Sequence, residues 1–210
     1  MFFINTDMKA MEKYADENNV PIMDKKGLKF LVDYIKFNNV KSILEIGSAI
    51  GYSAINMALV NTNITVTTIE KDEVRYLEAL KNIKRFDLDK RINLILGDAL
   101  EIKLEEKYDL VFIDAAKGQY IKFFEKYSPN VKDDGAIVSD NIYFHGLIEQ
   151  NERIEKKNLR QLVDRIKRYI LFLKDNKEFK TDLFKVGDGL AVSKRRKDND
   201  ENTSDAKWAI

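Results

Sequence analysis

Five apolar runs in this chain each carry acid or amide side chains at or just past their ends: Glu45, Glu70, Asp98, Asp114, and the pair Asp140 and Asn141. Turns are polar, and that alone accounts for one or two acids after strands. Five sets in chain order point instead to a ligand, because open α/β sheets bind at the carboxyl ends of their strands. The residue types divide into two chemistries, one suited to a cationic nucleoside and one to a hard metal ion.

The first lies in LEIGSAIGYS, Leu44 to Ser53. A dinucleotide pyrophosphate needs backbone N–H groups at a helix start, suffers from a nearby carboxylate, and has the usual spacing G-x-G-x-x-G. Here the spacing is E-x-G-x-x-x-G, set by Glu45, Gly47 and Gly51, with no phosphate-binding lysine. S-adenosylmethionine fits better, since it carries no phosphate and presents an amine and a sulfonium that gain from acid close by. Gly47 and Gly51 let the backbone approach its methionyl part, while Ser53 either caps the following helix or hydrogen-bonds the ligand. Glu70, at the end of the second run, suits a bidentate grip on the ribose diol. Gly97, Asp98 and Ala99 would frame the adenine.

The second chemistry belongs to FIDAAKGQY (Phe112 to Tyr120) and SDNIYF (Ser139 to Phe144). Asp114, Asp140 and Asn141 offer three oxygen ligands from strand ends, a set suited to Mg²⁺ or a similar hard cation. Zinc is disfavoured, since the chain has no cysteine and only one histidine, His145. Asp140 and Asn141 have a plainer alternative, that of capping the next segment. Lys117 follows Asp114 by three positions, so a cation and partial burial would lower its ammonium pKa and let it act as general base. An ordinary surface lysine is the alternative there.

The elements that must position these groups alternate. Strand-like runs cover Ser42 to Ile46, Ile64 to Glu70, Ile92 to Leu96, Asp109 to Asp114 and Ala136 to Asp140, with LFKV and LAVS near the end. Helices are expected over Asp72 to Phe86 and Asn158 to Lys174, the latter with Leu159, Leu162, Val163, Ile166, Tyr169, Ile170 and Leu173 on one face. This β-α-β-α rhythm predicts a parallel sheet covered on both faces, with only the last two strands joined as a hairpin through the tight turn GDG, Gly187 to Gly189.

At 210 residues and 44% hydrophobic content the chain can bury one sizeable core, so a single domain over 1–197 is expected, with residues 1–40 a helical segment and 198–210 a disordered polar tail. Lys plus Arg number 36 against 35 for Asp plus Glu, so only a local patch could mark a polyanion binder. No cysteine means no disulfide and no thiolate nucleophile. No run reaches membrane-spanning length, and a soluble, cytoplasmic protein without a membrane partner is expected.

LEIGSAIGYSAI, TIE, GDA, FIDAAKGQY and DN, in this order, resemble the class I metal-dependent O-methyltransferases, the group of the catechol and caffeoyl-CoA enzymes. NNVPIMDKKG, NIKRF, DAAKGQY and VGDGLAVSK further resemble the bacterial tRNA 5-hydroxyuridine methyltransferases, over about Met11 to Lys197. The resemblance implies a Rossmann-like seven-stranded sheet with the last strand antiparallel, and a homodimer. It implies cofactor contacts at Met23, Ser53, Glu70, Asp98 and Asp114, and metal held by Asp114, Asp140 and Asn141. Against the group's pattern, the leading helix before Met1 is expected to be short or missing, and His145 stands where a lysine is frequent.

The metal chemistry asks for an acceptor with two neighbouring oxygens, which a catechol and a 5-hydroxyuridine both supply. Local charge distinguishes them. From Arg153 to Arg168 stand seven basic residues, Arg153, Lys156, Lys157, Arg160, Arg165, Lys167 and Arg168, against the acids Glu155 and Asp164. With the resemblance, that density favours phosphate contacts to a tRNA anticodon stem-loop, with a solvated helix face as the alternative. Tyr52, Tyr143 and Phe144 either stack on a splayed base or pack internally. The expected reaction is methylation of the 5-hydroxyl of 5-hydroxyuridine at the wobble position, giving 5-methoxyuridine, and the alternative is a small-molecule catechol or caffeoyl-CoA type of O-methylation.

Overall fold

The computed structural model describes residues 2–143 and 156–197. Phe144, His145, Arg153, Glu155 and the 198–210 tail therefore lie outside the described residues. The strands form a seven-stranded sheet in the order β3-β2-β1-β4-β5-β7-β6. The chain divides into two compact units, Met1–Leu104 and Glu105–Ile210.

In the first unit, helices α1 (Phe2–Asn18) and α2 (Lys25–Phe37) precede β1 (Ser42–Ile46), α3 (Tyr52–Leu59), β2 (Thr65–Glu70), α4 (Glu73–Arg85) and β3 (Ile92–Leu96). Strands β1, β2 and β3 pair in parallel, with Ile46 opposite Ile69 and Glu70 opposite Leu96. The run SILEI forms a strand because Ile43, Leu44 and Ile46 are all buried, as expected of a parallel strand covered on both sides. Polar caps fix the helix starts. Asp24 accepts from the N–H groups of Lys26 and Gly27 to begin α2, and Asp72 accepts from that of Arg75 to begin α4. The expected helix over Asp72 to Phe86 is α4 together with its two caps.

The second unit contains β4 (Tyr108–Ile113), a 3-10 turn (Lys117–Gln119), α5 (Tyr120–Tyr127), β5 (Val131–Ser139), α6 (Lys157–Asp175), β6 (Phe179–Phe184) and β7 (Leu190–Arg195). Strand β5 runs parallel to β4, whereas β7 is antiparallel to both β5 and β6, so the last strand is the reversed one. Its core is aromatic. Phe124 meets Phe172 and Phe179 edge-on at centroid distances of 5.3 and 5.2 Å, and Tyr120 meets Tyr169 at 5.2 Å. Three expectations need correction here, the first being that β5 begins at Val131 and not at Ala136, through the exposed polar residues Lys132, Asp133 and Asp134. Strand β6 begins at Phe179, earlier than the LFKV run, because it is an alternating strand with Phe179, Thr181 and Leu183 buried and Asp182 exposed. The β6–β7 connection is a loop over 185–189, longer than the GDG turn, with Gly187 and Gly189 at φ 58° and 88°. Among the described residues, no helix is long and apolar enough to cross a membrane.

Candidate functional site

The glycine loop of the first unit leaves β1 through three left-handed residues, Gly47 (φ 94°), Ala49 (φ 45°) and Gly51 (φ 82°). Glu70, almost wholly buried at the end of β2, holds it. One carboxylate oxygen accepts from the N–H of Ala49 (2.8 Å), and the other accepts from those of Lys71 (3.0 Å) and Asp72 (2.9 Å). The Glu70 carbonyl accepts from the N–H of Gly97 (2.9 Å), which ties the GDA turn to the same strand end. In that turn Asp98 accepts from the N–H of Leu100 (2.8 Å) and Ala99 is buried.

Glu45 is fully buried on β1, and its carboxylate accepts from the hydroxyls of Ser53 and Thr68. Ser53 therefore does not cap α3. Gly51 occupies the cap position, with no side-chain hydrogen bond, and the Ser53 hydroxyl is directed to the buried acid. Thr68 went unnoticed in the sequence, where it is one of three threonines in β2 and only its burial sets it apart. Met23 is buried in the α1–α2 connection, where a Cβ on Gly27 would lie 3.1 Å from its Cε. Tyr52 is a packing residue and not a base-stacking one. It is 5% exposed, and its hydroxyl donates to Glu12 of α1 at 2.8 Å, with burial and this acid both raising its pKa.

In the second unit the pairing of Ile113 with Ser139 brings the next residues, Asp114 and Asp140, side by side, and the Asp140 N–H donates to the Ile113 carbonyl at 3.1 Å. Both Asp140 oxygens accept from Asn141, one from its backbone N–H (2.7 Å) and one from its side-chain amide (3.0 Å). The amide oxygen of Asn141 accepts from Lys117 Nζ at 2.9 Å, and the Tyr120 hydroxyl donates to the Asp140 carbonyl at 3.0 Å. Burial raises the Asp114 pKa to about 6, against the pull of Lys117. Burial also lowers the Lys117 pKa, against Asp114, Asp188 and Asp140. Asp188 is the member missed in the sequence. It comes from the β6–β7 loop, whose Asp188 and Gly189 carbonyls accept from the N–H groups of Tyr143 and Ile142. Tyr143 packs on that loop, since a Cβ on Gly189 would lie 2.1 Å from its ring, and Lys185 Nζ stands 5.7 Å from the ring centroid.

Among the described residues no three His, Cys, Asp or Glu side chains are grouped to hold a metal. A three-ligand site thus requires the Asn141 amide oxygen beside the two carboxylates. That all-oxygen set, with one carboxyl so desolvated that its proton is held to about pH 6, fits a hard divalent cation.

Helix α6 buries Val163, Ile166, Tyr169 and Leu173 and exposes Lys156 at its cap, Lys157, Arg160, Arg165, Lys167 and Arg168. The basic residues expected to be solvent-facing are so, apart from Arg153, which lies outside the described residues.

A family model described as O-methyltransferase matches residues 5–196. The tapetum-specific methyltransferase 1 of Arabidopsis thaliana is 31% identical, over 89% of this chain and 82% of its own. The caffeoyl-CoA O-methyltransferase of Populus kitakamiensis is 28% identical over 88% and 82%. A crystal structure from Staphylococcus aureus, provisionally named a caffeoyl-CoA O-methyltransferase, superposes with a TM-score of 0.86 at 36% identity, covering 90% of this chain and 92% of that one. A family match spanning nearly the whole described chain, over this fold, makes the protein a member of the O-methyltransferase family.

Proposed function

We propose that the protein transfers the methyl group of S-adenosylmethionine to the 5-hydroxyl of 5-hydroxyuridine at the tRNA wobble position, with the help of a divalent cation such as Mg²⁺. The observation that carries O-methyl transfer is the cluster of Asp114, Asp140, Asn141 and Lys117, in which an amine of lowered pKa touches an oxygen-donor set. The exposed basic face of α6 favours an RNA acceptor.

The cofactor falls to the first unit. Glu70 holds the glycine loop in its bent form and offers its remaining acceptor capacity to the ribose. Glu45, fixed by Ser53 and Thr68, places a buried carboxyl group beside that loop, whose oxygens suit a cationic ligand. Asp98 and Ala99 frame the adenine. Asp114, Asp140 and Asn141 would hold the cation, which when bound supplies Lewis-acid stabilisation of the acceptor oxygen as it loses its proton. The lowered pKa of Lys117 suits its Nζ to take that proton. The oxygen then forms a bond to the methyl carbon as the carbon–sulfur bond breaks, and the sulfur keeps the electron pair as S-adenosylhomocysteine leaves.

A second reading has its own support, because relatives carry the caffeoyl-CoA name and a catechol offers the same pair of oxygens. Incubation with S-adenosylmethionine, Mg²⁺ and either 5-hydroxyuridine-containing tRNA or free catechol decides between them, read by mass analysis of nucleosides and of catechol ethers. Methoxyuridine formed on tRNA, lost on chelation and restored by Mg²⁺, is expected. Methylation of catechol with none on tRNA would overturn the RNA reading.

A further inference from the structure

Gly118 is the middle residue of the turn that carries Lys117, and a Cβ added to it would lie 2.7 Å from Nη1 of Arg165. The next nearest atoms are Cδ and Cζ of the same arginine, at 3.5 and 3.6 Å. The guanidinium of α6 thus rests on bare backbone next to the lysine, in a place that any larger residue at 118 would fill. Arg165 is nonetheless exposed, and among the described residues no carboxylate pairs with it. Its neighbour Lys117 is differently placed, since its ammonium donates to Asn141 and lies in the field of Asp114, Asp140 and Asp188. Three carboxylates around one amine repel an incoming anion. Arg165 is the cation at this turn whose fork of donors stays open to a planar or tetrahedral oxyanion.

We propose that Arg165 binds an oxyanion of the acceptor, a phosphate or a carboxylate, carried close to the hydroxyl that is methylated. The proposal rests on the reading above for its placement of the acceptor at Lys117. It separates Arg165 from the general basic face of α6, because its seat at the turn lets it act on small acceptors that span no part of the helix.

The test compares two neutral acceptors with their anionic partners: 5-hydroxyuridine with its 5′-monophosphate, and catechol with 3,4-dihydroxybenzoate. For the accepted pair, the anionic member should have a KM about tenfold or more below the neutral one, the range of a charged hydrogen bond. Arg165→Ala should erase that preference, and Arg165→Lys should restore part of it. Gly118→Ala should erase it too, since the new Cβ meets only the end of a flexible side chain and displaces the guanidinium without removing its charge from the helix. An unsubstituted protein with no anionic preference, or a preference kept by Arg165→Ala, overturns the proposal. Which pair is methylated tells phosphate from carboxylate. If neither pair is methylated, the catalytic reading fails separately, and calorimetric binding of uridine 5′-monophosphate and of 3,4-dihydroxybenzoate still decides. Weaker binding by Arg165→Ala supports the oxyanion role, and equal binding overturns it.

Discussion

Glu70 shows how far a side chain's role depends on what it already holds. A carboxylate has about four acceptor positions, and three of Glu70's are taken by the N–H groups of Ala49, Lys71 and Asp72. One remains, on the oxygen that faces Ala49, so with these bonds intact a ribose would be held through one hydroxyl and not both. Glu70→Gln retains the shape but must turn an NH₂ group toward one of those donors. It should cost about 1.5 to 3 kcal/mol in S-adenosylmethionine binding, the worth of hydrogen bonds to a charged group, and should lower the melting temperature as the loop loosens. Titration calorimetry checks the first and scanning calorimetry the second; unchanged values in both would remove Glu70 from the cofactor site. The acid, the glycines and their spacing were legible in the sequence. The committed lone pairs were not, because the left-handed Ala49 that aims its N–H at Glu70 has no signature of its own.

Among the elements, those whose pattern matches their burial were the ones the sequence disclosed. Strand β1 was legible to its ends because its apolar residues suit a covered parallel strand, and the edge strand β3, in which only Ile92 is buried, because its mostly apolar run is bounded by Arg91 and Gly97. Strand β6 was misplaced because its alternation resembles polar sequence unless the partner face is known. Contacts between helices were hidden for the same reason. Glu12 of α1 accepts from Tyr52 at the start of α3 and from Lys25 at the start of α2, both at 2.8 Å, and nothing local in sequence announces such a pairing. Chiefly through the Lys25 hydrogen bond, its pKa lies below the usual Glu value. The folded protein therefore favours the ionised acid. The stabilisation is present above the ordinary Glu pKa, near about 4.3, and is lost as pH falls through the depressed one. Glu12→Gln should melt lower than the unsubstituted protein at pH 7, and the gap should close as the pH drops below about 4. A gap independent of pH would show that the loss comes from packing alone.

At the scale of the whole molecule, the residues assigned to the cofactor lie mainly in the first compact unit, and those assigned to acceptor chemistry lie in the second. Binding and turnover should therefore be separable by mutation. Asp140→Ala removes a proposed cation ligand and the acceptor of both Asn141 hydrogen bonds, while the Glu70 network stays intact. Turnover should fall by at least about 100-fold, or roughly 2.7 kcal/mol in activation free energy, with S-adenosylmethionine affinity within about twofold of normal, or roughly 0.4 kcal/mol. Single-turnover assays and equilibrium binding on the same preparation measure the two quantities. Equal loss of both would mean that the units do not divide the work in this way.

Asn141 carries a consequence for how such a protein can change over evolutionary time. Its backbone is left-handed, at φ 61°, a conformation that glycine, asparagine and aspartate adopt with least strain. The substitutions cheapest for the fold are therefore few: aspartate keeps an oxygen donor and adds charge, while glycine removes the donor altogether. If Asn141 helps to hold the cation as proposed, a single change to glycine would suit the backbone and leave the first unit's proposed cofactor residues untouched while removing an oxygen donor from the acceptor site. On that reading a descendant that binds without reacting lies one substitution away, at a position where the backbone raises little objection to it.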